Sequence, residues 1–261
     1  MIHGANTITK EKKYSFLFSI CCIVTNSNEY ELMKQSFVSN GFGNDIEFLI
    51  ADNTSGNVFD AYTAINRFLE DAKGRFIIIA HQDIRCIDTA EVLIGQLNLL
   101  EQKDPAWAVC GNAGANGYKN LFYYLNNNGK IKKSDKLPVL VTSLDENLLI
   151  IKNGTNLAVS SNIKDFHFYG TDICIVANFL GFNCYVIPFM VHHLSLGNLQ
   201  WLSRQQPVFV KKYGEKLKSR FVQTTCTKFY LSNSPLKNKI YNNAFVFFWI
   251  KAFNRMGNIF R

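Results

Sequence analysis

A chain of 261 residues, 48% of them apolar, has the material for one large folded domain, or a domain with an appendage, and is too apolar to be disordered. Its net charge of +8 is localised: residues 211–261 hold eleven Lys or Arg against one acid, Glu215, whereas the remainder is nearly neutral, so the tail is suited to an anionic partner. Seven irregularly spaced cysteines, mostly inside apolar runs and without a CxxC pair, speak against a disulfide framework or a structural zinc site and fit reduced thiols in a cytoplasmic protein.

Lys10, Lys12 and Lys13 give a basic flank, but the apolar run after them has a strand pattern and no cleavage site, so an uncleaved N-terminus is expected. No apolar run is long enough to suggest a conventional membrane-spanning helix. Phe16–Val24 reads as a buried strand, ending at Thr25-Asn26-Ser27-Asn28, whose short polar side chains can cap a helix over 29–38. A second strand over 47–51 ends at Asp52-Asn53, and helical spacing of apolar residues follows over 58–72, with Gly74 as its stop. Five apolar residues, 76–80, then form a strand suited to cover on both faces, which runs into His81, Gln82 and Asp83. Three strands separated by helices predict a parallel sheet with right-handed crossovers, and ligands of such sheets bind at the carboxyl ends of strands.

A helix over 89–102 and a strand over 107–110 follow, the latter ending in a glycine-rich stretch from Gly111 that is either a ligand approach or a plain turn. The polar, Lys/Asn-rich residues 119–137 read as an excursion. Strand signals return over 139–144 and 148–151, with Asp145 between them; a helix over 173–180 is stopped by Gly181 at C′, and a strand over 184–191 leads to His192 and His193. Alternation sends the two histidines to opposite faces, and His193 is the one assigned to the site.

Taken together, Thr25-Asn26, Asp52-Asn53, Tyr62 with Asn66, His81-Gln82-Asp83, Gly111 with Gly114, Asp145, the Phe-His-Phe-Tyr stretch before Asp172, and His193-x-Ser195-x-Gly197 resemble the GT-A glycosyltransferases of family 2 over residues 16–200. The resemblance implies an α/β GT-A fold, a mostly parallel central sheet flanked by helices. It also implies a site for a nucleoside-diphosphate sugar, with a divalent cation, Mn²⁺ or Mg²⁺, neutralising the diphosphate. By it, Asp83 stands for the last acid of the family's Asp-x-Asp motif and, with His193, holds the metal. Thr25, Asn26, Asp52, Asn53, His81, Gln82 and Gly111 are assigned to the nucleotide sugar, and His81 stands where the family has its first Asp. Gly170 falls on the usual general base, so Asp172 is assigned as the catalytic base, with Asp145 in reserve. Read by themselves, Asp83 and Asp52-Asn53 also make good turn residues.

The predicted domains are 1–198, nucleotide-sugar binding and catalytic, and 199–261, a basic helical extension. Helices are expected over 199–213 and 241–260, the second with an aromatic face and basic flanks suited to a membrane interface or to packing on protein. No nucleic-acid partner is expected. The reading is a metal-dependent, inverting glycosyltransferase of surface polysaccharide biosynthesis. It would act on a glycan or lipid-linked acceptor at the inner face of the cell membrane, with peripheral contact through residues 238–261 and homo-oligomerisation left open. The alternative is a catalytically weak or inactive nucleotide-sugar-binding protein serving a glycan-assembly complex.

Overall fold

In a computed structural model that describes residue 9 and residues 12–117, 120–195, 199–223, 225, 227–246 and 248–249, the chain divides into two units, Met1–Leu202 and Ser203–Arg261. The first is built outward from β1 (Phe16–Val24), which pairs in parallel with β2 (Ile46–Asp52) on one side and β3 (Gly74–Ala80) on the other. The intervening helices start where side chains can accept from their free N–H groups. Asn26 Oδ1 accepts from the N–H groups of Asn28 and Glu29 to open α1 (Ser27–Ser39), and Asp60 accepts from Thr63 to open α2 (Ala61–Asp71). The Asp60 cap is why α2 begins later than residue 58. Gly74 is not the helix stop expected: it opens β3, its N–H donated to Ser19 Oγ at 2.8 Å.

Four more strands complete the seven-stranded sheet: β5 (Trp107–Gly111), β9 (Val139–Val141), β11 (Leu148–Lys152) and β12 (Asn183–Val186). Their order is β2-β1-β3-β11-β5-β12-β9, with β11 and β9 reversed against the other five. This is the α/β architecture, a central sheet flanked by helices, that the GT-A resemblance implies. Thr89 caps α3 (Ala90–Lys103), and α4 (Tyr169–Phe179) begins ahead of the expected residue 173 and ends before Gly181 at φ +84°. Phe18, Phe37, Phe42, Trp107 and Phe189 are buried in one core cluster, each side chain worth about 1.5–3 kcal/mol by removal from water.

A second sheet was not foreseen. It runs β10 (Ser143–Leu144), β6 (Ala113–Asn116), β7 (Asn120–Asn127), β13 (Val191–His193) and β4 (Ile84–Cys86), with β8 (Lys130–Lys133) added beside β7. The polar stretch read as an excursion is thus a hairpin, turned at Asn128-Gly129, both with positive φ, the turn that matches strand twist. The strand expected over 184–191 is divided into β12 and β13 around Pro188, which has no N–H for a ladder. This break lets β13 leave the central sheet and lie antiparallel to β4, His193 opposite Ile84.

Spanning the division between the units, α5 (Leu199–Lys216) is longer than expected, and in the second unit the Lys-rich segment after it holds the hairpin β14 (Arg220–Gln223) and β15 (Lys228–Leu231). A helix, α6 (Pro235–Tyr241), ends where one was expected to begin. Asn242 is fixed there: its side-chain amide accepts from Tyr230 N and donates to Tyr230 O. Residues 244–246 and 248–249 are helical again, and the rest of the aromatic face, Phe253, Met256 and Phe260, lies outside the described residues.

Candidate metal and nucleotide-sugar site

At the carboxyl end of β3 the chain turns through His81, Gln82 and Asp83 before β4. Gln82 ties this turn to the end of β1: its Oε1 accepts from the N–H groups of Thr25 and Asn26 at 2.9 and 3.0 Å, and its Nε2 donates to Thr25 Oγ1 at 2.6 Å. Three residues assigned to one pocket from sequence are therefore in contact.

β13 brings His193 in from the far end of the unit, and Leu194 N donates to Asp83 O at 3.1 Å. Asp83 Oδ1 then lies 3.7 Å from His81 Nδ1 and 3.7 Å from His193 Nε2, and one donor atom from each of the three residues lies within 4.8 Å of the others. These separations are too long for hydrogen bonds. Asp83 Oδ1 and His193 Nε2 are buried and without a hydrogen-bond partner, and each such atom costs about 1–3 kcal/mol. A cation among them would satisfy both. Two imidazole nitrogens and one carboxylate suit Mn²⁺ better than Mg²⁺, which favours oxygen ligands.

The neighbouring hydrogen bonds orient the ligands for this. Tyr169 Oη donates its proton to Glu146 O at 3.1 Å, so at its 2.7 Å contact with His81 Nε2 it accepts. Neutral His81 then carries its proton on Nε2 and its lone pair on Nδ1, toward Asp83. Burial lowers the His193 pKa below the ordinary histidine value, against the opposing charge of Asp83, and so favours the neutral ring a metal needs.

Two cavities adjoin here. One of about 250 Å³ is lined by Ile23, Thr25, Ala61, His81, Gln82, Asp83, Phe166, His167 and Tyr169. The other, about 350 Å³, is lined by Tyr123, Leu125, Asn127, Lys132, Asp145, Glu146 and His193 among others, and shares His81, Phe166 and His167 with the first. Asp145, the reserve acid, is therefore at the cavity, where its Oδ1 accepts from both the backbone and side-chain N–H groups of Asn147. Sequence reasoning missed Tyr169, Glu146, His167, Tyr123 and Lys132. Tyr169 and His167 lie in the Phe-His-Phe-Tyr stretch already noticed, and the Asn-Gly turn could have exposed the hairpin that carries Tyr123 and Lys132.

Other assigned residues line neither cavity, although Asp52 and Asn53 stand at the same sheet edge, Asp52 opposite Val24. Asp172 does not line either cavity: it is fully buried in the first turn of α4, and its carboxylate accepts from Ser160 N at 2.7 Å and Ser160 Oγ at 2.5 Å. The structure thus gives the group assigned as the catalytic base a holding role between Ser160 and α4. Asp52 is exposed, its pKa lowered by the backbone and side-chain hydrogen bonds it accepts from Thr54. Asn53 is buried and holds Phe59 by an N–H donated to its carbonyl and one accepted from its amide. Gly111 is a buried β5 residue opposite Leu149. Asp52 and Asn53 thus make the turn contacts that their sequence, read by itself, allows.

No protein-family model matches the chain. A protein of Fuscovulum blasticum described as "ATP synthase subunits region ORF 6" is 33% identical over 198 residues, 72% of this chain and 79% of that protein. Among solved structures, A197 from STIV aligns with a TM-score of 0.40 and 15% identity over 67% of this chain and 84% of its own. Residues 1–349 of TarS from S. aureus align with a TM-score of 0.39 and 9% identity over 67% of this chain and 57% of its own. None of these descriptions states a reaction.

Proposed function

The chain belongs to the family of the Fuscovulum blasticum ATP synthase subunits region ORF 6 protein, and from its own site we propose that it is a GT-A glycosyltransferase. It would move a sugar from a nucleoside-diphosphate sugar to a hydroxyl of a glycan or lipid-linked acceptor, with inversion. One observation carries this reading: the orphaned Asp83 and His193 atoms, with His81, sit between two adjoining cavities at the carboxyl ends of parallel strands.

Held by His81, Asp83 and His193, a divalent cation would stabilise the charge that builds on a departing diphosphate. The smaller cavity, with Thr25 and Gln82 on its wall, would take the nucleotide. In the larger one the Tyr123 ring offers a face for a sugar and Asn127 and Lys132 offer polar contacts, the mixture of apolar wall and few polar groups that fixes a ligand's orientation. Thermal-shift measurement with UDP, GDP or TDP and Mn²⁺, followed by nucleoside-diphosphate release from the corresponding sugars, tests the reading. Stabilisation and release are expected; neither occurring with any nucleotide rejects it.

A second reading, nucleotide-sugar binding without efficient transfer, is favoured by Gly170. A Cβ there would meet Leu144 O at 2.4 Å, so no acid fits where the family resemblance places the base. Binding without release would establish it.

The second unit supports contact with a membrane surface at the site of surface-polysaccharide assembly. Leu236, Ile240, Phe245, Phe248 and Trp249 are exposed beside Lys237 and Lys239, apolar and basic groups that anionic lipid headgroups attract by about 1 kcal/mol per cation. No described helix is long and apolar enough to cross a membrane. Flotation of the full chain with phosphatidylserine vesicles should fall when Phe245, Phe248 and Trp249 are changed to Ala; unchanged flotation removes the surface.

A further inference from the structure

The larger cavity that His193 lines also holds a second polar pair. Glu146 lies in the turn from β10 to β11, and His167 precedes α4. His167 Nδ1 is 3.8 Å from Glu146 Oε2, and the two side chains are 25% and 18% exposed, enclosed enough for the pairing to matter. His167 lines both cavities and Glu146 the larger, so the imidazole stands where the contents of the two would meet. Its backbone is held on both sides: Tyr62 Oη donates to its carbonyl at 2.9 Å, and its N–H donates to Asp165 Oδ1 at 3.1 Å.

Glu146 adds to the crowding at Gly170: beside Leu144 O at 2.4 Å, its Cγ lies 3.3 Å from the point a Cβ at 170 would occupy, so the β10–β11 turn fills the space beside α4. The Glu146 carboxylate raises the His167 pKa above the ordinary histidine value, against the effect of burial, and Asp165 adds to the rise. The other titratable or charged groups on the larger cavity are His81, Tyr123, Lys132, Asp145 and His193. A raised pKa strengthens His167 as a base, and the carboxylate's charge on the Nδ1 side favours the proton there, which leaves Nε2 to accept.

We propose, resting on the glycosyl-transfer reading above, that His167 is the catalytic base for the acceptor hydroxyl and Glu146 its positioning residue. The acceptor oxygen forms its bond to the anomeric carbon as the bond from that carbon to the diphosphate oxygen breaks, its electron pair leaving with the diphosphate. The acceptor's proton passes to His167 Nε2, and the imidazolium formed is paired with Glu146. Water in place of the acceptor gives hydrolysis by the same transfers.

The test uses the full chain with Mn²⁺, nucleoside-diphosphate binding by calorimetry, and nucleoside-diphosphate release from UDP-, GDP- and TDP-sugars. His167→Ala and His167→Gln should bind the nucleotide as the wild type does and release it about 100-fold more slowly, with imidazole in the buffer restoring the Ala variant. Glu146→Gln should slow release about 10-fold and move the acidic limb of the pH profile to lower pH, because the group that raises the His167 pKa is gone. Wild-type release by either His167 variant, loss of nucleotide binding in both, or an unmoved limb in Glu146→Gln overturns the assignment. Failure of the wild type to bind or release any nucleotide instead rejects glycosyl transfer, and the assignment with it.

Discussion

Two carboxylates of the first unit, Asp83 at the end of β3 and Asp172 at the start of α4, look alike in sequence: each sits at the edge of an apolar element, in a stretch that resembles a family motif. Their surroundings differ. Asp172 is fully buried and its oxygens are taken up by Ser160. Asp83 keeps a buried oxygen with no donor, facing two imidazoles that are equally unlinked to it by hydrogen bonds. A satisfied buried carboxylate holds a loop to a helix. One left unsatisfied, in a cavity, raises folding cost and so points to a ligand that the fold is built to receive.

The largest expected effect breaks the satisfied side of this contrast. Asp172→Ala removes two hydrogen bonds from Ser160 to a buried carboxylate, each worth about 1.5–3 kcal/mol, so the loss should be about 3 kcal/mol or more. Urea unfolding measures it, and binding of nucleoside diphosphate by the folded fraction should be unchanged. Unaltered stability with lost turnover would place Asp172 in the chemistry.

Asp83→Asn addresses the other side. The substitution keeps the side-chain shape and breaks no hydrogen bond of Oδ1, so stability should hold or rise slightly. Mn²⁺ binding should weaken by about 100-fold, the upper end of what even outer partners of a metal site contribute. Calorimetric titration with Mn²⁺ measures it, and wild-type affinity in the variant would show that the cluster holds no metal.

The contrast also marks how far the sequence could be read. β1, α1, β2, α2 and β3 were legible because their signals are local: continuous apolar runs for strands covered on both faces, a cap such as Asn26, a helical period in 58–72. Asp83 and His193 were assigned together from the resemblance, but their approach depends on Pro188 parting β12 from β13, which sends the final strand to a second sheet. That sheet is made of short or polar strands whose partners lie far away in sequence, β13 with β4 and β7, so hydrophobic alternation carries little of it. Whether a carboxylate is satisfied is a property of space, not of spacing. Nothing in the residues near Asp172 announces Ser160, twelve positions earlier, as its donor, and nothing near Gly170 announces that Leu144 O and Glu146 fill the room beside it.

The smallest expected change isolates the orientation of one ligand. Tyr169→Phe keeps a ring whose edge meets Tyr62 at a centroid separation of 6.5 Å and removes only the hydroxyl between His81 Nε2 and Glu146 O. Without that acceptor the His81 ring has no reason to keep its proton on Nε2, and the tautomer with the proton on Nδ1, which cannot bind a cation through that atom, becomes comparable in energy. Mn²⁺ affinity should fall by about 10-fold, within the range for lost outer partners of ligating histidines, while the Asp83→Asn loss remains larger. Combined in a double variant, the two should lose less than their sum, because Tyr169 acts on a site that Asp83→Asn has already weakened. Full additivity would separate Tyr169 from the metal cluster and leave its hydroxyl a structural link between α4 and the β10–β11 turn.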